Sequence, residues 1–161
     1  MRSLLSFLFL SMALAPPAMA AARSLGVFGV WGAFAEGPRC YAIAAPYRTT
    51  APEGARPFVA IGNWPRRHVA GLLHVRLSRP ARAGSAVLLR IDGRVFQLVG
   101  RARDAWAPDA RADAEIGDAM RTGVELSVET RAADGTLVRD HYHLRGAATA
   151  IDAAALACRA R

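Results

Sequence analysis

The strongest constraint on this chain is a period of two in its apolar residues. It recurs in short runs separated by turn signals. Leu73, Val75 and Leu77 alternate with His74, Arg76 and Ser78, and Val124, Leu126 and Val128 with Glu125, Ser127 and Glu129. Val138, Tyr142 and Leu144 share a face opposite Arg139, His141 and His143. Successive strand side chains point to opposite faces, so such runs read as strands with one face on a core. The runs 85–91 and 94–99 are joined by Asp92-Gly93, a strong hairpin signal. Further strands are expected over 26–34, 40–44 and 58–64, the last ended by Pro65.

Two segments instead carry helical spacing. Over 109–122, Ala112, Ile116, Ala119 and Met120 form one stripe and Gly123 follows as a stop. From 149 to about 160, Thr149 and Asp152 have the spacing of a capping box, and Ile151, Ala154, Ala155 and Cys158 share a face. The expected class is mainly β: a β-sandwich or small barrel with two short helices, one before a late strand and one C-terminal. An outer-membrane barrel needs strands of about 9–11 residues with an unbroken apolar face. These runs are shorter and arginines interrupt them.

The length of 161 residues suits one domain. Arg2, the apolar run 4–14, Pro16-Pro17 and Ala18-Met19-Ala20 have the order of a cleaved signal peptide. Residues 1–20 are expected to be removed, leaving 21–161 as a single domain in the periplasm or secreted. The apolar run is too short for a membrane anchor, which needs about 20 residues, and no later run could span as a helix. In an oxidising compartment the two cysteines, Cys40 and Cys158, are expected to pair. The bond would close a loop of about 119 residues, for which chain entropy gives roughly 4.8 kcal/mol. A reactive thiol or a metal site is the alternative, but C-x-x-C spacing is absent.

All 21 basic residues are arginine, and the formal charge is +8. Residues 1–103 hold 14 arginines and three acids, a charge of +11. Residues 104–161 hold seven arginines and ten acids, a charge of −3. Arg76, Arg90, Arg94 and Arg101, with Arg79, Arg82 and Arg103 beside them, fall within the strand-rich middle. They mark a candidate anion-binding face for an envelope polymer or acidic protein, against the plainer reading that arginines fill exposed positions. Export argues against nucleic acid as partner.

Catalytic signals are sparse. His141-x-His143 puts two imidazoles on one strand face, and His74 or His68 could join them, but a zinc site needs three or four ligands. Ser85 lacks a nucleophile-elbow context, and Asp109 and Asp113 fit capping and helix surface. Trp31, Trp64 and Trp106 read as packing anchors, with carbohydrate stacking as the functional alternative.

The opening Phe28-Gly29-Val30-Trp31 resembles the F-G-x-W start of the invasion-associated locus B (IalB) family. The stretch Leu144-Arg145-Gly146-Ala147-Ala148-Thr149-Ala150 resembles that family's L-x-G-F-x-x-A ending, which leads into an alanine-rich helix. Leu89-Arg90-Ile91-Asp92-Gly93 resembles its central hairpin, and Ile116, Met120 and Gly123 its helix before a late strand. Ala147 stands where the family usually has an aromatic residue. The resemblance implies an immunoglobulin-like β-sandwich and an exported alphaproteobacterial protein. The resulting expectation is a non-catalytic envelope or secreted protein without a cofactor, binding an anionic envelope or host component. The alternative is a small periplasmic enzyme or metal-binding protein using His141 and His143.

Overall fold

The computed structural model describes residues 21–159; the expected leader, 1–20, and the last two residues lie outside that range. Among the described residues there are ten strands: β1 (Arg23–Phe28), β2 (Trp31–Glu36), β3 (Arg39–Ala44), β4 (Phe58–Trp64), β5 (Val69–Arg76), β6 (Val87–Ile91), β7 (Arg94–Arg101), β8 (Asp104–Trp106), β9 (Glu125–Arg131) and β10 (Leu137–His143). Helix α1 (Ala110–Thr122) precedes β9 and α2 (Ala147–Arg159) follows β10. The strands form one antiparallel sheet in the order β1-β2-β3-β4-β5-β8-β7-β6-β9-β10. The sheet curls. Tyr47 N–H donates to His141 O and His141 N–H to Arg48 O, both at 2.8 Å. These bonds bring β10 round to the segment that continues from β3. The chain is thus mainly β, with the two helices in the expected places.

The alternating residues sort as their period requires. Ala42, Val59, Ile61, Leu73, Val75, Leu89, Leu126, Val128 and Tyr142 face inward and are buried. Both helices pack on this inner face, α2 across β1–β4 and α1 on β5. Asp109 caps α1, accepting from Ala112 N–H at 2.8 Å. Gly123 closes α1 with φ −78°, so its glycine is explained by space and not by handedness: a Cβ there would meet Ile91 Cγ2 at 2.7 Å. Cys40 and Cys158 form a disulfide with Cα atoms 5.7 Å apart, tying α2 to β3.

The two end motifs touch. Trp31 is fully buried and its indole donates to His143 O at 2.9 Å. Val30 N–H reaches Arg145 O at 3.4 Å. Gly146, at φ +93°, approaches Phe28 so closely that a Cβ would lie 1.8 Å from the Phe28 carbonyl oxygen. Only glycine fits there.

Several local expectations are corrected. Residues 26–34 are not one strand but the β1–β2 hairpin, because Gly29 at φ +62° turns the chain and Phe28 pairs with Trp31. Helix α2 begins at Ala147, so Thr149 lies inside its first turn and not at its N-cap position. The start is set by tertiary contact: Gly146 delivers the chain against Phe28, and Ala147 is fully buried. Ser78, expected on the polar face, is fully buried just beyond β5. Val124, expected inside, is 75% exposed because β9 starts one residue later. The three-residue β8 carries too short a pattern to be read in advance.

Candidate anion-binding site

The four arginines singled out from the sequence occupy opposite ends of the sheet. Arg76 and Arg101 both flank Asp104, which pairs with each across the ladder. Arg90 and Arg94 lie by the Asp92-Gly93 turn. Arg94 and Arg101 are seven residues apart on one strand, roughly 23 Å. Arg90 faces Glu129 at 3.5 Å, which also holds Arg139 at 3.1 Å, and Arg94 lies 4.9 Å above the Phe96 ring. One compact site cannot contain all four.

Arg76 belongs to a different group. A surface hollow is lined by Gly54, Ala55, Arg56, Phe58, Arg76, Leu77 and Arg103. Three arginines from separate parts of the chain line it. Arg56 comes from the turn-rich segment before β4, Arg76 ends β5, and Arg103 sits in the β7–β8 turn. The turn is fixed by Ala102 at φ +53° and by Leu77 N–H donating to Arg103 O at 2.7 Å. Arg103 also donates to Ser78 O at 3.4 Å.

One carboxylate stands beside the hollow. Arg76 Nη1 donates to both Asp104 oxygens, at 2.9 and 2.8 Å, and His74 Nε2 lies 2.9 Å from Oδ1. Burial pushes the Asp104 carboxyl up, but the hydrogen bonds from Arg76 and His74 outweigh it and hold the group below its ordinary value. Asp104 therefore offsets one charge and fixes Arg76, whereas Arg56 and Arg103 have no acidic partner among the described residues. The hollow keeps net positive charge, and its planar donors suit a carboxylate or phosphate.

The histidine pair lies on the outer face of β10, the last strand of the order and away from the hollow. His141 Nδ1 is 2.9 Å from Glu125 Oε1, and Arg48 Nη2 is 3.1 Å from His141 Nε2. Arginine only donates, so Nε2 accepts and Nδ1–H faces Glu125. His143 stacks on Tyr47 with centroids 3.9 Å apart, and the Tyr47 hydroxyl donates to Glu125 at 2.8 Å. Hydrogen bonds from Tyr47 and then His141 hold Glu125 below the usual glutamate range, and the bond to Glu125 raises Tyr47. Among the described residues no group of three or more His, Cys, Asp or Glu is placed to hold a metal ion. His74 is engaged with Asp104 and does not join the pair.

Trp31 is core. Trp64 lies over Gly62, where a Cβ would meet its ring at 2.6 Å, and Trp106 stacks on His74 at 5.5 Å. Arg56 and Phe58 were not recognisable from spacing, since the hollow exists only once β4, β5 and β8 are neighbours. No family model, curated protein or solved structure matches the chain.

Proposed function

We propose that this protein is an exported, non-catalytic binding protein of the envelope or secreted fraction, built as a divergent IalB-like, immunoglobulin-like β-sandwich. It recognises an anionic group without acting on it. The observation that carries the reading is the convergence of Arg56, Arg76 and Arg103 on one hollow whose charge Asp104 only partly offsets. The disulfide supports an oxidising compartment. The contact between the F-G-x-W and L-x-G segments supports treating the motifs behind the resemblance as parts of one unit. Binding without turnover fits the side chains: both cysteines are bonded, and both ring nitrogens of His141 are engaged.

The test is titration of the oxidised protein with inorganic polyphosphate, comparing wild type with Arg56→Gln/Arg103→Gln. Binding should weaken as salt rises, since the Debye length falls to about 8 Å at physiological strength, and the double variant should lose most of it. Reversal of Arg90 and Arg94 to glutamate should have a smaller effect. Polyphosphate binding that is absent, or indifferent to the hollow's arginines, would refute the proposal.

A further inference from the structure

The arginine hollow opens onto an apolar row on the outer face of the sheet. The register places Gly32, Ile43, Ala60 and His74 side by side across β2–β5, and Trp106 and Val99 side by side on β8 and β7. The stack of His74 on Trp106, planes 4° apart, joins the two halves. Phe58, which lines the hollow, stands edge-on to His74 at 5.1 Å. Both helices pack on the opposite face, so neither covers this row. Val99 beside Trp106 is 56% exposed. Three aromatic rings therefore run from the hollow to an exposed valine, with Arg76 beside the first and Arg101 two residues along β7 from the valine.

We infer that the hollow and this row form one site for an acidic glycan, a sugar chain bearing carboxylate groups. The inference rests on the anion-binding reading above and names the ligand class. A small anion would use the hollow and leave His74 and Trp106 idle. A sugar ring presents C–H bonds with partial positive charge on one face, which suits the electron-rich face of an aromatic ring. Its carboxylate accepts two parallel hydrogen bonds from a guanidinium. Asp104, held ionised and locked to Arg76 and His74, orients the arginine and the histidine ring together. A glycan with an acidic group next to an apolar ring face meets both halves, and the match of charge to the hollow selects it over a neutral sugar.

The experiment uses the oxidised protein and four probes: tetragalacturonate, its fully methyl-esterified counterpart, inorganic polyphosphate and oligothymidylate. Each is titrated calorimetrically at low salt against wild type, Trp106→Ala and Trp106→Leu. The leucine variant keeps bulk without a π face if the alanine variant does not fold. Tetragalacturonate is expected to bind, and its neutral ester about tenfold or more weaker. Loss of the ring should weaken tetragalacturonate by about tenfold, the equivalent of 1.4 kcal/mol, and leave polyphosphate unchanged. Tetragalacturonate binding that ignores both Trp106 variants overturns the glycan assignment while leaving the anion reading intact. Oligothymidylate binding tighter than tetragalacturonate also overturns it. If neither polyphosphate nor tetragalacturonate binds, both readings fail.

Discussion

Removing the disulfide should lower stability without abolishing the fold. Cys40 and Cys158 are 118 residues apart in sequence and are 0% and 3% exposed. Releasing a loop of that length gives the denatured chain roughly 4.8 kcal/mol of conformational freedom on the simple entropy model. Residual structure in the unfolded ensemble reduces that figure. Replacement of both residues by alanine also removes two buried sulfurs from a small cluster with Ala35 and Ala154, leaving a void. The net cost should fall within about 2–5 kcal/mol. At about 2–4 °C per kcal/mol for a domain near this size, the midpoint should drop by roughly 10 °C. Helix α2 should stay docked, because Ala147, Ala150, Ile151 and Ala154 remain buried on its inner face. The assay is thermal unfolding by circular dichroism of the Cys40→Ala/Cys158→Ala variant and of wild type with and without reductant. Thiol titration must confirm reduction, and amide exchange across α2 reports docking. A fully reduced protein with an unchanged midpoint would refute the reasoning. Loss of protection across the whole sheet would show that the bond, and not the alanine-lined helix face, holds the fold.

Gly146→Ala should cost several kcal/mol by chemical denaturation, since its Cβ would lie 1.8 Å from Phe28 O at φ +93°. Gly84→Ala, at φ +78° with open space around it, should cost far less, and similar losses for both would refute the close-contact argument. Tyr142→Phe should stabilise by about 1 kcal/mol, because its hydroxyl is buried without a partner among the described residues and the ring shape is kept; destabilisation would show that the hydroxyl is satisfied. Glu125 is held below its ordinary value by Tyr47 and His141, so its contribution is full above the unfolded glutamate value of about 4.3 and fades as pH falls through its lower folded value. The midpoint gap between wild type and Glu125→Gln should therefore close in acid, and a gap that widens there would contradict the sign.

β5, β9 and β10 were legible because most of their inner positions are apolar and most of their outer ones polar. The β6–β7 hairpin at Asp92-Gly93 and the capped helix α1 were legible as well. The β1–β2 turn was hidden because Val27, Phe28, Val30 and Trp31 are apolar on both sides of Gly29. Asp140 was hidden for a tertiary reason. It is fully buried on the inner face of β10, where it accepts from the Thr49 hydroxyl and Ser78 N–H, groups brought from distant parts of the chain. A lone acid on a strand face gives no sign of such partners. The disulfide was legible from an even cysteine count read together with the expected leader. The hollow was not, because it depends on β5 lying beside β8 instead of its sequence neighbour β6, and on Arg56 arriving from a turn-rich connection.

The tryptophans provide the most direct test of the binding account. Trp31 is buried with its indole bonded to His143 O, Trp64 lies on Gly62 away from the hollow, and Trp106 ends the ring row that starts there. Titrating ¹⁵N-labelled oxidised protein with tetragalacturonate should shift the Trp106 indole N–H progressively while Trp31 and Trp64 stay in place. An unmoved Trp106 signal in the presence of measurable binding, or a shift confined to Trp64, would contradict a site that joins the Arg56, Arg76 and Arg103 hollow to the ring row.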